Sequence, residues 1–367
     1  MQTAKRITNS SVITRNIKVL TLAVAGAFSC SSSADDVLAV EKKLLLGLES
    51  IQTLSMDNAL DSFSALGEQH PNYKLAQLMK ADLLALKAGQ KPLLDQVRKN
   101  YPKSVARLKD EAAVRWQFAQ SSASGVNGYF DNYVLKTAQQ SHLIFVNLSE
   151  SRLYLYERDS EGQMTLVTDY YVTMGRKGSG KQKEGDLRTP IGVYHIVDLL
   201  PGAGLPDLYG VGALPLNYPN DWDSEQGKTG SGIWLHGTPS NTYIRAPKAS
   251  RGCVVLHNKA MDRLLSEYSL PYATPVLIVD DAEQLLASST VKESVLTEVK
   301  TWLDNHHIGI DWTSVSVYRY PNEEDLLYVT FPAAVENELI HQYWKRGDNG
   351  WKLVIQSKEP VRVEKKA

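Results

Sequence analysis

The spacing of apolar residues changes once along the chain, near residue 125, and this change constrains the fold more than any other feature. Before it, apolar residues recur every three or four positions, as at Leu44 and Leu48, which predicts helices over residues 37–123. After it, the runs 142–148 and 152–157 flank a short polar turn, which predicts a β-hairpin. The chain therefore combines a helical part with a later β-rich part.

The length of 367 residues is more than one ordinary hydrophobic core accommodates. A small polar stretch at 121–125 follows the helical part, and an apolar strand at 275–279 ends the β-rich part. We therefore predict a multidomain α+β protein. It has a helical accessory domain at 36–125, a mostly β domain at 140–280 and an α+β domain at 284–360.

The two outer domains carry no visible catalytic set. The last one begins with a predicted helix at 287–304 and continues in strands that end in Tyr343-Trp344-Lys345-Arg346 and Gly350-Trp351-Lys352. This order resembles a shortened nuclear transport factor 2-like domain, and we predict a binding or assembly module. The helical domain resembles one degenerate tetratricopeptide-type hairpin without a clean repeat. We expect it to pack against the catalytic part or to pair two protomers as a homodimer.

The N-terminus has the layout of a secretory signal peptide. Basic residues precede an apolar segment from Val19 to Phe28, and small residues follow up to Ala34. We predict that residues 1–34 direct export to the periplasm. Two alternatives are a lipoprotein, in which Cys30 would be lipidated, and an uncleaved membrane anchor.

Composition excludes some partners. Apolar residues make up 43% of the chain and charged residues 22%, which is typical of a globular protein. The net charge of −1 provides no general electrostatic attraction to nucleic acid, and we predict no nucleic-acid partner.

Two short stretches hold the residue types of thiol chemistry. With the signal segment removed, Cys253 is the one cysteine left, and it follows Gly252. His236 ends an apolar run before a Gly-Thr-Pro turn, so we expect its ring at the end of a buried strand. A cysteine attacks as its thiolate, and imidazole commonly takes the proton near neutral pH. We predict Cys253 as nucleophile and His236 as general base; the alternative is that Cys253 is a small buried hydrophobe.

Residues next to this pair are candidate substrate contacts. The amide N–H groups of Gly252 and Cys253 are candidates to face a developing oxyanion. Ser250 either hydrogen-bonds near the site or forms a turn. The candidate substrate or oxyanion residues are Gly237, Ser250, Arg251 and Gly252.

Two motifs carry a resemblance to a known family. The first is His236-Gly237-Thr238 followed by Ser250-x-Gly252-Cys253, with sixteen residues between the histidine and the cysteine. The second is Gly185-Asp186-Leu187-Arg188-Thr189-Pro190, further upstream. Together they resemble the signature of the L,D-transpeptidase catalytic-domain family, also called YkuD-type, of bacterial peptidoglycan enzymes. The resemblance covers residues 140–280.

This resemblance implies a mostly β catalytic domain in which Cys253 accepts the acyl group. His236 would act as general base, oriented by a backbone carbonyl near Gly237. The implied substrates are peptidoglycan stem peptides, cleaved between meso-diaminopimelate and D-alanine through a thioester. One departure is Val255, because many members carry an arginine two residues after the cysteine.

Several outcomes stay open at this stage. Resolution of the thioester by an amine would crosslink two stems, and resolution by water would trim a tetrapeptide to a tripeptide. Val255 and the three-part architecture, which resembles that of peptidoglycan-trimming L,D-carboxypeptidases, favour hydrolysis, whereas family usage favours transpeptidation. An amidase that releases a wall-linked lipoprotein would use the same acyl-enzyme, and the non-enzymatic alternative is an inactive wall-binding protein.

We predict no cofactor and no metal. A zinc site from His236, Cys253 and His257 has plausible ligand types, but no fourth ligand stands out. The glycine-bearing run at 175–181 lacks the spacing of a phosphate-binding loop. We assign no function to His70, His195, His306, His307 and His341.

A long segment at 201–232 shows no periodic pattern and carries the aromatic residues Tyr209, Tyr218 and Trp222. Loops of this length inside a compact domain are usually functional. We therefore predict a long loop that serves as a lid or binding surface, and the family resemblance implies that it borders the substrate groove.

Overall fold

The computed structural model describes residues 34–120, 130–280, 289–306, 310–333, 338–348 and 350–360. The predicted signal peptide lies outside the described residues, Cys30 included, except for Ala34, which begins the first helix. No helix in the described part of the chain is long and apolar enough to cross a membrane.

The N-terminal region is helical. Its helices are α1 (Ala34–Gln52), α2 (Met56–Gln69), α3 (Lys74–Lys87), α4 (Leu93–Asn100) and α5 (Pro102–Gln120). Leu44 of α1 and Phe63 of α2 are fully buried in one cluster. A Cβ atom at Gly47 would lie 2.8 Å from the Phe63 ring, so the glycine allows α1 and α2 to approach closely. Tyr171 and Ile244, from the β-rich part, complete this cluster.

The rest of the chain alternates strands with short helices. The strands are β1 (Val134–Lys136), β2 (His142–Asn147), β3 (Arg152–Arg158), β4 (Met164–Tyr171), β5 (Met174–Gly175), β6 (Gly192–His195), β7 (Leu200–Pro201), β8 (Gly212–Pro215), β9 (Trp234–His236), β10 (Lys248–Ser250), β11 (Val254–Val255), β12 (Pro275–Val279), β13 (Ser316–Arg319), β14 (Leu326–Pro332), β15 (Glu338–Gly347) and β16 (Gly350–Pro360). The helices are α6 (Asp221–Glu225), α7 (Asn258–Asp262) and α8 (Ser289–His306).

The central sheet has the strand order β4-β3-β2-β12-β6. β2 and β12 are parallel, and the other neighbours are antiparallel. Every residue of β2 is buried. Ile144 and Val146 point into the core shared with the sheet that carries the candidate site. Leu143 and Phe145 point to the opposite face and pack with residues of the C-terminal sheet. A strand buried on both faces is apolar along most of its length, and in β2 the four residues between His142 and Asn147 are apolar.

A second sheet, in the order β11-β9-β8-β7, lies on one side of the central sheet, and β5 and β10 form a small parallel pair beside it. β8 and α6 fall inside the segment predicted as a long loop at 201–232. The prediction of a loop missed these two elements. β8 is only four residues long, so its sequence shows no apolar periodicity that would predict a strand. Its place is fixed by pairing with β9, where Leu214 is opposite Leu235.

The C-terminal sheet is antiparallel, in the order β1-β13-β14-β15-β16. Its edge strand β1 comes from residues that precede the central sheet in sequence, outside the predicted span 284–360. α8 packs on this sheet through Val299 and Leu303. The succession of a helical region, a mostly β centre and a β-rich C-terminal region confirms the predicted multidomain α+β class. The detailed domain boundaries and the nuclear transport factor 2-like identity of the last domain stay predictions.

An ion-pair network joins the helical region to the central sheet. Glu41 of α1 pairs with the buried Arg115 of α5, and its Oε1 accepts a hydrogen bond of 2.7 Å from Nη2 of the buried Arg152 in β3. Arg152 also pairs with Asp169 of β4 at 3.1 Å. Burial raises the pKa of Glu41, but the two arginines outweigh it, so the net pKa lies below its usual value. Glu41 is therefore charged at neutral pH.

We expect Glu41→Gln to lower the free energy of unfolding by about 3–5 kcal/mol, because it leaves two buried guanidinium groups short of an anion. Denaturant unfolding followed by circular dichroism measures this change. The control is Glu49→Gln on the same helix, where the carboxylate is exposed and the expected change is within about 0.5 kcal/mol. Equal stabilities of the two variants would contradict a structural role for the network.

Candidate active site

His236 is held at the end of β9, between β8 and β11, and its side chain is 3% exposed. Its Nδ1 lies 2.7 Å from the carbonyl oxygen of Gly237. A carbonyl only accepts hydrogen bonds, so Nδ1 carries the proton and Nε2 keeps the free lone pair. The ring of Tyr209, from the segment at 201–232, contacts the imidazole edge-on with centroids 5.1 Å apart. The nitrogen that is able to take a proton is therefore fixed by the backbone.

Cys253 sits on a turn fixed by hydrogen bonds. The Ser250 hydroxyl donates to the carbonyl oxygen of Cys253 at 2.6 Å and accepts from the Gly252 N–H at 3.0 Å. The Thr189 hydroxyl donates to the Gly252 carbonyl at 2.8 Å. Gly252 has φ +134°, and a Cβ atom there would lie 2.7 Å from the carbonyl oxygen of Arg188. Both the backbone angle and the available space require glycine.

Strand pairing brings the segment of the histidine next to the segment that follows the cysteine. β9 and β11 are parallel, with Val255 opposite His236. Paired residues of neighbouring strands share a side, so Val255 and His236 point to the same side. Cys253 lies directly before β11, two residues from Val255, and we infer the same side for it by extending the alternation of side chains back by one residue. The thiol is partly exposed and donates to the carbonyl oxygen of Gly232 at 3.4 Å. A substrate carbonyl therefore has access to the sulfur.

The electrostatic environment keeps both groups neutral in the resting state. Burial lowers the pKa of His236 to about 4, the hydrogen bond to Gly237 opposes this, and Arg245 lowers it further. Burial raises the pKa of the Cys253 thiol. The backbone N–H groups of Trp234 and Cys253 and the charges of Arg245 and Lys181 act in the opposite direction. At neutral pH the pair is an imidazole and a thiol rather than a preformed ion pair.

The residues expected to contact an oxyanion have different surroundings. We expected the Gly252 N–H to face a substrate oxygen. It is already bonded to the Ser250 hydroxyl and is therefore not free for one. Ser250 stabilises the turn, which is one of the two functions that the sequence analysis considered for it. Arg251 is exposed. Gly237 lies against Asn258, because a Cβ atom at 237 would come within 2.2 Å of the Asn258 Oδ1. The Cys253 N–H is left as the candidate oxyanion donor from that turn.

Three residues near the site were missed by the sequence analysis. Asn258 Oδ1 accepts from the Thr238 N–H at 3.0 Å and so holds the turn after His236. Lys181 and Arg245 place positive charge near the thiol. The asparagine follows His257 in a short motif and could have been considered, but no local pattern marks the two cations.

His257 does not join the other two candidate zinc ligands. Its ring is buried, stacks on Tyr243 with centroids 5.6 Å apart and accepts from the Ala260 N–H at 3.3 Å as the N-cap of α7. Burial lowers the pKa of His257 to about 3. Within the described ranges, no group of three or more His, Cys, Asp or Glu residues is arranged to hold a metal ion.

Two of the histidines without an assigned function connect the domains. His195 of β6 and His341 of β15 stack with centroids 5.4 Å apart. Glu359 of β16 lies 3.0 Å from His195 and 3.5 Å from His341. This contact joins the central sheet to the C-terminal sheet.

Comparison with known families agrees with this geometry. Residues 141–278 match the family model YkuD, described as the L,D-transpeptidase catalytic domain. This stretch is an L,D-transpeptidase catalytic domain. The resemblance inferred from the two motifs is thereby confirmed. No curated protein matches the sequence.

The solved structures that this chain is similar to include proteins from three bacteria. Bd1075 of Bdellovibrio bacteriovorus is 22% identical, with 63% of this chain and 98% of that chain covered and a TM-score of 0.46. The helical cell shape determining protein Pgp2 of Campylobacter jejuni is 18% identical, with 63% and 98% covered and a TM-score of 0.42. An L,D-transpeptidase of Xylanimonas cellulosilytica is 21% identical, with 38% and 61% covered and a TM-score of 0.26.

We expect Ser250→Ala to lower the free energy of unfolding by about 1–3 kcal/mol, because it leaves the buried Gly252 N–H without its acceptor. Thermal and denaturant unfolding measure the change. Ser231→Ala, at an exposed serine before β9, is the control and should change stability by less than about 0.5 kcal/mol. A Ser250→Ala protein as stable as the control would show that the hydroxyl does not hold the turn.

Proposed function

We propose that this chain is an exported enzyme that transfers the acyl group of peptidoglycan stem peptides through a thioester on Cys253. The transpeptidase-type domain supports a peptidoglycan-modifying activity. One observation carries the finer proposal. Cys253 directly precedes β11, which pairs with the strand that ends in His236, and Nδ1 of His236 is bonded to a carbonyl. The free Nε2 is therefore available as the base.

The first half of the proposed reaction forms the thioester. Nε2 of His236 takes the proton of Cys253 as the sulfur attacks the carbonyl carbon of meso-diaminopimelate. The electron pair of that carbonyl moves to its oxygen, next to the Cys253 N–H. When the tetrahedral species collapses, the carbon–nitrogen bond breaks, and the imidazolium returns its proton to the nitrogen of the departing D-alanine. No charged pair is needed at rest, which agrees with the lowered pKa of His236.

The second half decides the product. Water attacking the thioester gives a tripeptide, and an amine of a neighbouring stem gives a crosslink. Val255 is fully buried in β11 and provides no cation for an acceptor, which favours water. We therefore propose L,D-carboxypeptidase activity first and transpeptidase activity as the second candidate. Release of a wall-linked lipoprotein, a silent wall-binding protein and a homodimer through the helical domain stay alternatives without a specific observation in their favour.

Incubation of the exported chain with disaccharide-tetrapeptide, alone and with a second stem, tests this proposal by mass spectrometry. We expect loss of one alanine. A dimer would assign the transpeptidase, and an unchanged substrate would support a silent binder.

We expect Cys253→Ser and His236→Ala each to reduce turnover at least about a thousandfold, because each removes one half of the nucleophile–base pair. Full activity of either variant would contradict the mechanism.

The pH dependence provides an independent check. Because the imidazole must be neutral to act as base, kcat/KM should rise with pH around a midpoint near 4, the pKa of His236, and then stay level through neutral pH. Alkylation of Cys253 by iodoacetamide, followed over the same pH range, should increase only on the alkaline side, where the raised thiol pKa is reached. An acid limb centred near 6.5 would contradict a buried imidazole.

A further inference from the structure

The peptide group between Gly237 and Thr238 connects two contacts at the candidate active site. Its carbonyl oxygen, that of Gly237, lies 2.7 Å from Nδ1 of His236. Its N–H, that of Thr238, donates at 3.0 Å to Oδ1 of Asn258. Because a trans peptide group is planar, its C=O and N–H point in opposite directions, and a contact at one end fixes the direction of the other. Asn258 therefore orients the carbonyl that contacts the imidazole.

The side-chain oxygen of Asn258 is held in place from two sides. Asn258 is the first residue of α7, which is anchored in the core through Ala260 and Met261. Its Oδ1 also accepts a hydrogen bond from the Val211 N–H at 3.3 Å. An amide oxygen has two lone pairs, so the N–H groups of Val211 and Thr238 together use its full capacity as an acceptor. The oxygen therefore joins α7, the start of β8 and the turn after β9.

Glycine at position 237 makes this anchor necessary. A Cβ atom there would come within 2.2 Å of Asn258 Oδ1, so a side chain does not fit. Glycine adopts a wide range of backbone angles, however, and by itself it does not fix the peptide group that follows. The peptide group before Gly237 is held by the backbone. Its carbonyl, that of His236, accepts from the Leu256 N–H at 2.9 Å, and its N–H donates to the Tyr209 carbonyl at 3.0 Å. The peptide group after Gly237 is held by Asn258 instead.

The direction of the Gly237 carbonyl decides which nitrogen of the imidazole is basic. With the carbonyl toward the ring, Nδ1 of His236 must donate, and Nε2 keeps the lone pair that the proposed reaction uses. If the peptide group turned over, its N–H would face Nδ1, and the favoured tautomer would carry its proton on Nε2. Such a histidine takes no proton from a thiol at that nitrogen. The hydrogen bond to Asn258 also polarises the carbonyl and so strengthens its contact with the Nδ1–H group.

We propose that Asn258 is a positioning residue of this site, which acts through the peptide group between Gly237 and Thr238 to hold His236 in the tautomer with a free Nε2. The expected effect on turnover rests on the proposed function. The tautomer itself is a property of the resting protein, so it is testable without any substrate. Asn258 belongs to neither of the two motifs that carry the family resemblance.

Asn258→Leu tests this inference by turnover, because leucine has a similar size and no hydrogen-bond acceptor. We expect kcat on disaccharide-tetrapeptide to fall about 10- to 100-fold with little change in KM, because the stem still binds while fewer molecules have a basic Nε2. Asn258→Asp keeps an acceptor oxygen at the same place and should restore most of kcat.

The matched control is Asn217→Leu in the same domain. Asn217 is partly buried like Asn258, and its Oδ1 also holds a backbone N–H, that of His195, at 2.9 Å. Removing this acceptor should lower thermal stability to a similar extent. It should leave kcat unchanged, because the peptide group that His195 belongs to does not contact the imidazole of His236.

Nitrogen-15 NMR of the histidine side chains measures the tautomer directly. Protonated and unprotonated ring nitrogens have widely different chemical shifts, and the spectrum of His236→Gln assigns the signal of His236. At neutral pH we expect the proton on Nδ1 in the wild-type chain and in Asn217→Leu. Asn258→Leu should show an increased share of the form protonated on Nε2, and Asn258→Asp should return to the wild-type pattern. Asn258→Ala replaces Asn258→Leu, with the same expected shift, if circular dichroism shows that the leucine variant does not fold.

The two measurements separate this inference from the proposed function. If the wild-type chain turned over no stem, the proposed function would be wrong, and the tautomer in Asn258→Leu would still decide about Asn258. An unchanged tautomer in that variant would overturn the inference, as would a failure of Asn258→Asp to restore the wild-type pattern. Equal losses of kcat in Asn258→Leu and Asn217→Leu would also overturn it, because they would show a general loss of stability instead of an effect on the imidazole.

Discussion

The candidate site depends on the parallel pairing of β9 with β11. These strands have three and two residues, and their register puts Val255 opposite His236, with Cys253 directly before β11. A shift of one residue would turn the cysteine to the opposite face. The turn at 250–253 prevents this shift, because the Ser250 hydroxyl bonds both the Gly252 N–H and the Cys253 carbonyl. The chemistry thus rests on a short piece of sheet held by side-chain hydrogen bonds rather than by strand length.

That small sheet is supported from behind by the central one. Ile144 and Val146 pack toward it, together with Leu235 and Val254 from the site strands themselves. The other face of the central sheet packs on the C-terminal sheet, and the helical region is fixed at its edge through Glu41. Both outer regions therefore pack directly on the domain that carries the candidate site. The charges of Arg245 and Lys181 both act to lower the pKa of the Cys253 thiol, against the effect of burial.

Much of the fold was accessible from the sequence because its signals are local. The hairpin of β2 and β3, the helix found as α8 and the helical N-terminal region follow from apolar periodicity alone. β1 and β8 were missed because they are three and four residues long. Each is defined by a partner far along the chain, β13 for β1 and β9 for β8. Pairing with a strand far along the chain produces no periodic pattern of apolar residues within such a short strand.

The sequence by itself determined which side chains are chemically able to act. A lone thiol after a glycine and a histidine before a Gly-Thr turn are recognisable because reactivity belongs to residue type and short spacing. The tertiary structure alone decided how those groups are surrounded. It bonded the Gly252 N–H to Ser250, lowered the pKa of His236 by burial, and combined burial with the charges of Arg245 and Lys181 in setting the pKa of the thiol. These properties depend on desolvation and on contacts between segments distant in sequence, which only the folded chain brings together.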